Sequence, residues 1–438
     1  MSDDFDLIER VDEQAALELA LAAARDGTGG IVLLAGGAGV GKTRLLEACL
    51  ARGGTGQLVL RGQTNEIATP PYGPIAGALR AYLRVRPGGL DGCGPLAPYL
   101  SLLLAELGPP PTLHETDPAV LVEAICQAFT AIARETPAVL VLDDLQWADN
   151  ATLELVPVLA SVLARERLLI IGTYRNDEIG RGHPVRRLRN DLRRAHLLRE
   201  IFIEPLDQAD TTALATSIFG QAPGPALAAT LYERTEGVPL FVRELASALA
   251  LRRGLRTGEA GIELEPGVEM PIPDTLRDAV LLRLDGLPDP ALGLLHLAAV
   301  AGDEFDLGLM AEMSGEQEHL AERFDALLER GLLVEVEPGR GAFRHALTRE
   351  AIYGDISWMR RRALHRQMAE RLQSDGAAPL AVARHWLAAK EPDRAREALL
   401  AASEHACTIH AYRDAASAAQ QALELWPNGA EDGRRLDV

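Results

Sequence analysis

The apolar positions of the first ~205 residues come in short, near-continuous runs separated by helix-period segments. Ile31–Ala35, Leu58–Arg61, Ala138–Leu142, Leu168–Gly172 and Glu200–Ile203 read as strands covered on both faces. Strands alternating with helical patterns predict an α/β domain built on a parallel sheet. Between the second and third strands, Pro70–Thr136 is rich in Pro, Gly and Leu and closes in the helix-period run Val120–Arg134. It reads as an insertion plus a crossover helix.

From Asp207 the strand pattern stops. Asp210–Phe219, Pro225–Arg234 and Leu240–Arg253 predict a small helical lid, and Gly254–Pro273, with its Gly and Pro punctuation, a linker or β-turn boundary. Beyond it, Asp274–Leu284, Pro290–Ala301, Leu307–Met313 and Glu318–Arg330 read as helices. A hairpin of Leu332–Val336 and Gly341–Arg344 follows, turning at Pro338-Gly339. Helices closed by a two-stranded turn suggest a winged-helix unit. Ser357–Ser374, Leu380–Ala389, Pro392–His410 and Tyr412–Trp426 are consecutive amphipathic helices with small residues at their crossing points, the pattern of a starting helical repeat array. A stack of this kind needs about three or more repeats, so the chain reads as the N-terminal part of something longer, or as one capped by another route.

Composition narrows the function classes. The 438 residues are too many for one ordinary core. No charge-free apolar run approaches the ~18–20 residues of a membrane span. The acidic start, Met1-Ser2-Asp3-Asp4-Phe5-Asp6, lacks the order of a signal peptide, which points to the cytoplasm. Cys49, Cys93, Cys126 and Cys407 are far apart, without a CxxC pair, and support neither a zinc site nor a disulfide framework. With 44 basic and 63 acidic residues, the net charge of −19 repels nucleic acid over most of the surface. Only Lys42 and Lys390 are lysines.

The strongest chemical signal is Gly36-Gly37-Ala38-Gly39-Val40-Gly41-Lys42-Thr43, a full GxxxxGK[ST] match between an apolar strand and the helix that begins at Arg44. Glycines let backbone N–H groups converge on a phosphate, and the helix N-terminus adds partial positive charge. Lys42 reaches the β and γ oxygens, and Thr43 ligates Mg²⁺. A carboxylate at another strand end must share the metal, and Asp143, after Ala138–Leu142, supplies it; Asp144 stands where a base could polarise water. Asp is shorter than Glu at that position, so hydrolysis is expected to be slow. Arg175, closing Gly172-Thr173-Tyr174-Arg175, reads either as a γ-phosphate sensor or as a surface-loop arginine. Arg181, Arg186, Arg187, Arg189, Arg193, Arg194 and Arg199 read either as a solvated helix face or as a subunit contact or arginine finger. Trp147 reads as a packing residue, Pro239 as a helix start, and His345 as a core or interface histidine or a phosphate ligand.

Leu7-Ile8-Glu9-Arg10, Gly36–Thr43 with Arg44-Leu45-Leu46, Ala68-Thr69-Pro70-Pro71-Tyr72-Gly73-Pro74, Asp143-Asp144-Leu145-Gln146-Trp147-Ala148-Asp149 and Gly172–Arg175 together resemble the signal-transduction ATPases with numerous domains (STAND). More narrowly, the chain is similar to the origin-recognition-type AAA ATPase module of large LuxR-type bacterial regulators related to the maltose activator. The likeness runs over nearly the whole chain, with its strongest motifs in the nucleotide domain; Glu9 stands where the family pattern has glycine.

The resemblance implies a P-loop NTPase sheet (residues 1–205), a helical lid (206–255), a winged-helix domain (272–372) and the start of tetratricopeptide-like repeats (376–438). It implies that Arg10 lies near the base and that Gly36–Thr43 and Arg44 form the phosphate site. Thr43 and Asp143 would hold Mg²⁺, with Asp144 and Arg175 catalytic. Pro239 would pack on adenine, and His345 would approach the β-phosphate in the ADP-bound form.

The implied function is an ATP/ADP switch with slow hydrolysis, an inducer ligand or protein on the helical array and an ATP-dependent homo-oligomer. DNA contact would come only through a C-terminal domain absent from this chain. A DNA-acting AAA ATPase, or the front end of an adenylyl cyclase or protein kinase, is the alternative. Residues 270–372 carry 12 basic against 18 acidic residues, the wrong sign for a DNA-reading winged helix.

Overall fold

The computed structural model describes residues 10–53, 56–64, 66, 69–90, 93–109, 111, 118–251, 255–258, 261–264, 275–284, 286–315 and 319–426. Leu7-Ile8-Glu9, Ala68 and most of Gly254–Pro273 lie outside the described residues. The chain divides into two compact units. The first takes the described residues of Val11–Gly36, Leu45–Phe202 and Ala369–Val438, and the second those of Met1–Arg10, Gly37–Arg44 and Ile203–Met368.

After helix α1 (Val11–Arg25), the first unit holds strands β1 (Gly30–Gly36), β2 (Leu58–Gly62), β3 (Ala138–Leu142), β4 (Leu168–Arg175) and β5 (Leu198–Phe202). All five pair in parallel, in the order β2-β3-β4-β1-β5. The three central strands are buried at every position, while the edges β2 and β5 are not. Each fully buried Leu, Ile or Val contributes roughly 1.5–3 kcal/mol, which is why the apolar runs were legible as strands. The register puts Gly36, the last residue of β1, beside Arg175, and Leu142 beside Gly172. The carboxyl ends of β3, β4 and β1 thus lie side by side along one edge of the sheet.

Helix α2 (Lys42–Gly53) follows the phosphate loop. The expected insertion contains α3 (Gly73–Val85) and 3-10 turns at Gly94–Leu102 and Ala105–Leu107, before the crossover helix α4 (Pro118–Glu135). Helices α5 (Asn150–Val162) and α6 (Pro184–Arg194) complete the layers around the sheet, and α6 carries most of the arginine run.

The second unit contains α7 (Gln208–Phe219), α8 (Pro225–Thr235) and α9 (Pro239–Leu251) in the lid positions. The expected linker holds a short antiparallel hairpin, β6 (Leu255–Gly258) with β7 (Gly261–Leu264). Next come α10 (Leu276–Leu282), α11 (Asp289–Ala301), β8 (Glu304–Asp306), α12 (Leu307–Ser314), α13 (Leu320–Glu329), β9 (Leu333–Glu337), β10 (Arg340–Phe343), α14 (Ala346–Asp355) and α15 (Trp358–Ser374), of which the residues from Ala369 belong to the first unit. The hairpin is a three-stranded antiparallel sheet, β8-β10-β9. Three residues were too few for β8 to show a period.

Buried ion pairs tie this unit together. Arg283 pairs with Glu244, whose side chain is 2% exposed, and Arg349 Nε meets Asp303 Oδ1 at 2.8 Å. Arg330 Nη1 in turn donates to Arg283 O at 2.8 Å.

The last three helices, α16 (Pro379–Ala388), α17 (Pro392–Thr408) and α18 (Tyr412–Glu424), pack through Ala383, Ala402, Ala418 and Ala422. They belong to the first unit, where Ala406, Ile409, Ala411 and Ala415 join the core of the sheet. A contact so remote along the chain leaves no trace in local periodicity.

Candidate nucleotide-binding site

The phosphate loop departs from β1 and enters α2 at Lys42. Gly39 (φ 74°) and Gly41 (φ 100°) adopt the left-handed backbone that glycine accepts without strain. At Gly39 a Cβ would also stand 3.0 Å from Leu240 Cβ, 3.2 Å from Val238 Cγ1 and 3.3 Å from Leu347 Cδ1. Only glycine allows that approach. Gly39 O accepts a hydrogen bond from Leu240 N at 3.2 Å. The loop is therefore packed by the first turn of α9 and by the start of α14, all within the second unit.

Lys42 is buried, and its Nζ donates to Gly37 O at 2.8 Å, curling over its own loop. Arg10 Nη2 donates to Val40 O at 3.2 Å and to Glu204 O at 2.5 Å, so this guanidinium bridges the loop and the chain that leads into α7. Thr43 and Arg44 are exposed, whereas Gly36 and Val40 are buried and Gly37, Ala38, Gly39 and Gly41 are partly buried. Pro239 is the first residue of α9, behind Gly237, where a Cβ would come within 1.9 Å of Leu206 O. His345 caps α14 and its carbonyl accepts from Thr348 N at 2.9 Å. The structure thus groups Arg10, Gly39, Pro239-Leu240 and His345-Ala346-Leu347 in one compact unit with the loop.

The acidic pair belongs to the first unit. Asp143 Oδ1 accepts from Thr173 Oγ1 at 3.0 Å. Burial, and then the neighbouring Asp144 charge, push the Asp143 carboxyl up to about 6. Asp144 has left-handed backbone (φ 52°, ψ 51°), held by its N–H bond to Thr173 Oγ1 at 2.9 Å. Thr64 Oγ1 lies 2.8 Å from both carbonyl oxygens of the pair. The Asp144 side chain takes Gln146 Nε2 at 2.9 Å and stands 3.7 Å from Arg175 Nε.

Arg175 is no surface-loop residue. It is 5% exposed, donates to Glu178 at 2.6 Å and lies 4.6 Å over the Trp147 ring. The surface reading fails because β4 extends three residues further than the apolar run implied, carrying Arg175 into the sheet. Trp147 is the packing residue it was expected to be, under a guanidinium. Thr64, Gln146 and Thr173 complete this network and were not read from sequence. Thr173, next to the arginine in Gly172–Arg175, was the one with a visible signal.

The donor set fits a nucleotide with a hard dication. The loop, within the second unit, offers backbone N–H groups, the Lys42 amine and the Thr43 hydroxyl; the first unit offers the Asp143 carboxyl. Among the described residues, no group of three or more His, Cys, Asp and Glu forms an all-protein cage. Mg²⁺ is commonly held by one or two protein oxygens with substrate phosphates.

The arginines of α6 leave a shallow cavity of about 520 Å³ lined by Arg181, His183, Arg186, Arg187, Asn190 and Arg193 among others. Arg189 turns inward instead, to Glu200 at 2.7 Å through both Nε and Nη2.

A parallel five-stranded sheet with a glycine loop leaving a central strand defines the P-loop NTPase type of fold. Residues 6–171 match the family model described as AAA ATPase domain. An uncharacterized protein of Rhizobium meliloti (strain 1021) is 28% identical over 379 residues, covering 78% of this chain and 34% of that protein.

Among solved structures, the chain is similar to a STAND protein with a tetratricopeptide repeat sensor from Pyrococcus horikoshii. The TM-score is 0.54 at 15% identity, over 98% of this chain and 60% of that one. At that identity the likeness concerns the fold. Cdc6p from Pyrobaculum aerophilum aligns over 85% of this chain and 97% of its own, with 14% identity and a TM-score of 0.38. The chain spans about a third of the curated relative and 60% of the Pyrococcus horikoshii chain.

Proposed function

We propose that this chain is an ATP-binding regulatory switch that hydrolyses ATP slowly to ADP and phosphate. In this reading Gly36–Thr43 and Arg44 hold the phosphates, with Lys42 on the β and γ oxygens, and Thr43 and Asp143 hold Mg²⁺. Asp144 orients the attacking water and Arg175 senses the γ-phosphate. Arg10 and Pro239 border the base, and His345 belongs to the ADP form. Mg²⁺ supplies charge neutralisation at the phosphates when bound. The Asp144 carboxylate shared with Gln146 and Arg175 supports slow turnover, since it must be released before it can act as a base.

The observation that carries the reading is the packing of the loop. With Gly39 O bonded to Leu240 N, and Leu347 close enough to leave little room for a Cβ at Gly39, a phosphate that reshapes the loop also moves the first turn of α9 and the start of α14. A switch requires only that ATP and ADP differ in affinity for two such arrangements.

The wider role we infer is that of a cytoplasmic LuxR-type transcriptional regulator. Its β8-β10-β9 unit would serve as a protein-packing winged helix, and its tetratricopeptide-like helices would sense an inducer. ATP would favour a homo-oligomer. Among the described residues no helix is long and apolar enough to cross a membrane.

Calorimetry with Mg-ATP and Mg-ADP tests the reading. Lys42→Ala should weaken both by about 100-fold or more, roughly 2.8 kcal/mol. Unchanged affinity would remove the phosphate site.

A further inference from the structure

Helix α6 concentrates positive charge on a strongly acidic protein. Residues 181–194 hold six arginines against one acid, Asp191, in a chain whose net charge is −19. Nearby carboxylates neutralise only half of them. Arg189 pairs with Glu200, Arg194 with Asp191, and Arg187 with Glu154 at 3.6 Å and Asp191 at 3.9 Å. Arg181, Arg186 and Arg193 meet no carboxylate among the described residues, and Arg186 Nε donates to Ile179 O at 3.1 Å.

These three guanidiniums line one concavity of about 520 Å³, together with the Asn190 amide. Helical geometry explains the convergence. Arg186, Asn190 and Arg193 stand at i, i+4 and i+7 on one face of α6, while Val185, Leu188 and Leu192 bury the opposite face in the core of the sheet. Arg181 joins them from the turn that precedes the helix. Like charges held together in a cleft repel one another and concentrate the opposite ion. The volume falls within the roughly 300–1,000 Å³ of small-ligand sites.

The lining also selects the kind of anion. It contains no Phe, Tyr, Trp or aliphatic side chain, so a nucleobase would find no apolar surface to rest on. A long polyanion would have to leave the patch and run over acidic surface, whereas a compact one stays inside it. Guanidinium forks match phosphate oxygens two at a time. Spread over two helical turns, they suit several phosphates close together.

We propose that the α6 cavity is a second anion site, sharing no residue with the phosphate loop, that takes a compact anion of two or more linked phosphates. The site lies wholly within the first unit and stands without the nucleotide reading.

The probe is inorganic tripolyphosphate, titrated calorimetrically into the full chain. Wild type should take up two and Lys42→Ala one. In the Lys42→Ala chain, Arg186→Ala with Arg193→Ala should weaken the remaining binding by about tenfold or more, the scale of losing charge-assisted contacts. Arg181→Ala should weaken it by a smaller factor. All three side chains are exposed, so these substitutions leave the core untouched. Arg199→Ala, an exposed arginine outside the cavity, should change nothing. The site is overturned if the Lys42→Ala chain binds no tripolyphosphate, if Arg199→Ala weakens binding as much as the cavity variants do, or if a single-stranded oligonucleotide of matched charge binds there more tightly. Self-association abolished by the cavity variants, with no tripolyphosphate bound, would give this face to a second copy of the chain and overturn it too. A wild-type chain that binds a single tripolyphosphate, kept in Lys42→Ala and lost in the cavity variants, would count against the nucleotide reading and support the α6 site.

Discussion

Thr173 shows how much one hydroxyl can hold. It accepts from Asp144 N and donates to Asp143, fixing a backbone in left-handed geometry and a carboxylate in one stroke. Thr173→Val keeps the shape and leaves both groups without that partner, so urea unfolding should show a loss of about 1–3 kcal/mol. Gly39→Val is expected to be worse for binding than for stability. The loop must give up either its left-handed turn or its approach to Leu240, and calorimetry should show nucleotide affinity falling at least tenfold while the melting temperature moves by a few degrees. The glycines and Lys42 were readable in the sequence because one spacing carries one chemistry. Gln146 and Thr64 were not, because their role arises only when distant strand ends meet.

At the scale of elements, helix and strand cores followed apolar periodicity closely, and the edges did not. Strand β5 runs Leu198–Phe202 rather than Glu200–Ile203, since a half-exposed edge has no continuous apolar run to mark it. The N-terminus of α5 adds a pH dependence. Burial first, and the Asp414 charge among the smaller causes, push the Asp149 carboxyl from 3.8 up to about 7.

The folded state therefore holds this proton more tightly than the unfolded state. The stability it contributes is complete below pH ~4 and is lost as pH rises through 7. Asparagine can accept from Tyr72 N and Thr152 N without ionising. Asp149→Asn should accordingly gain stability relative to wild type at pH 8 and show little difference at pH 4, measured by chemical denaturation.

For the whole molecule, charge decides more than shape. Glu244 and Arg283 join α9 to α10 with almost no exposure. Glu244→Ala strands a buried guanidinium and should cost about 3–5 kcal/mol, well beyond a surface pair. Elsewhere the acidic excess of −19 makes a specific DNA complex at physiological salt unexpected, and a mobility-shift titration with this chain should show none. The order of the parallel strands and of the helices after Asp207 was largely legible, whereas β6, β7, β8 and α14 were not read. The division into units was not legible, because the last three helices fold back onto the sheet through alanines that look like any other helix stripe.

That division has a practical consequence. Residues 37–44 pack with Ile203–Met368, although the strand before them and most of the helix after them pack with the sheet. A polypeptide ended after Phe202 would retain all five strands and the complete nucleotide motif. It would nevertheless lack Val238, Leu240 and Leu347, the walls against which the bend at Gly39 is moulded. The familiar signature would survive in writing while its three-dimensional cast was gone.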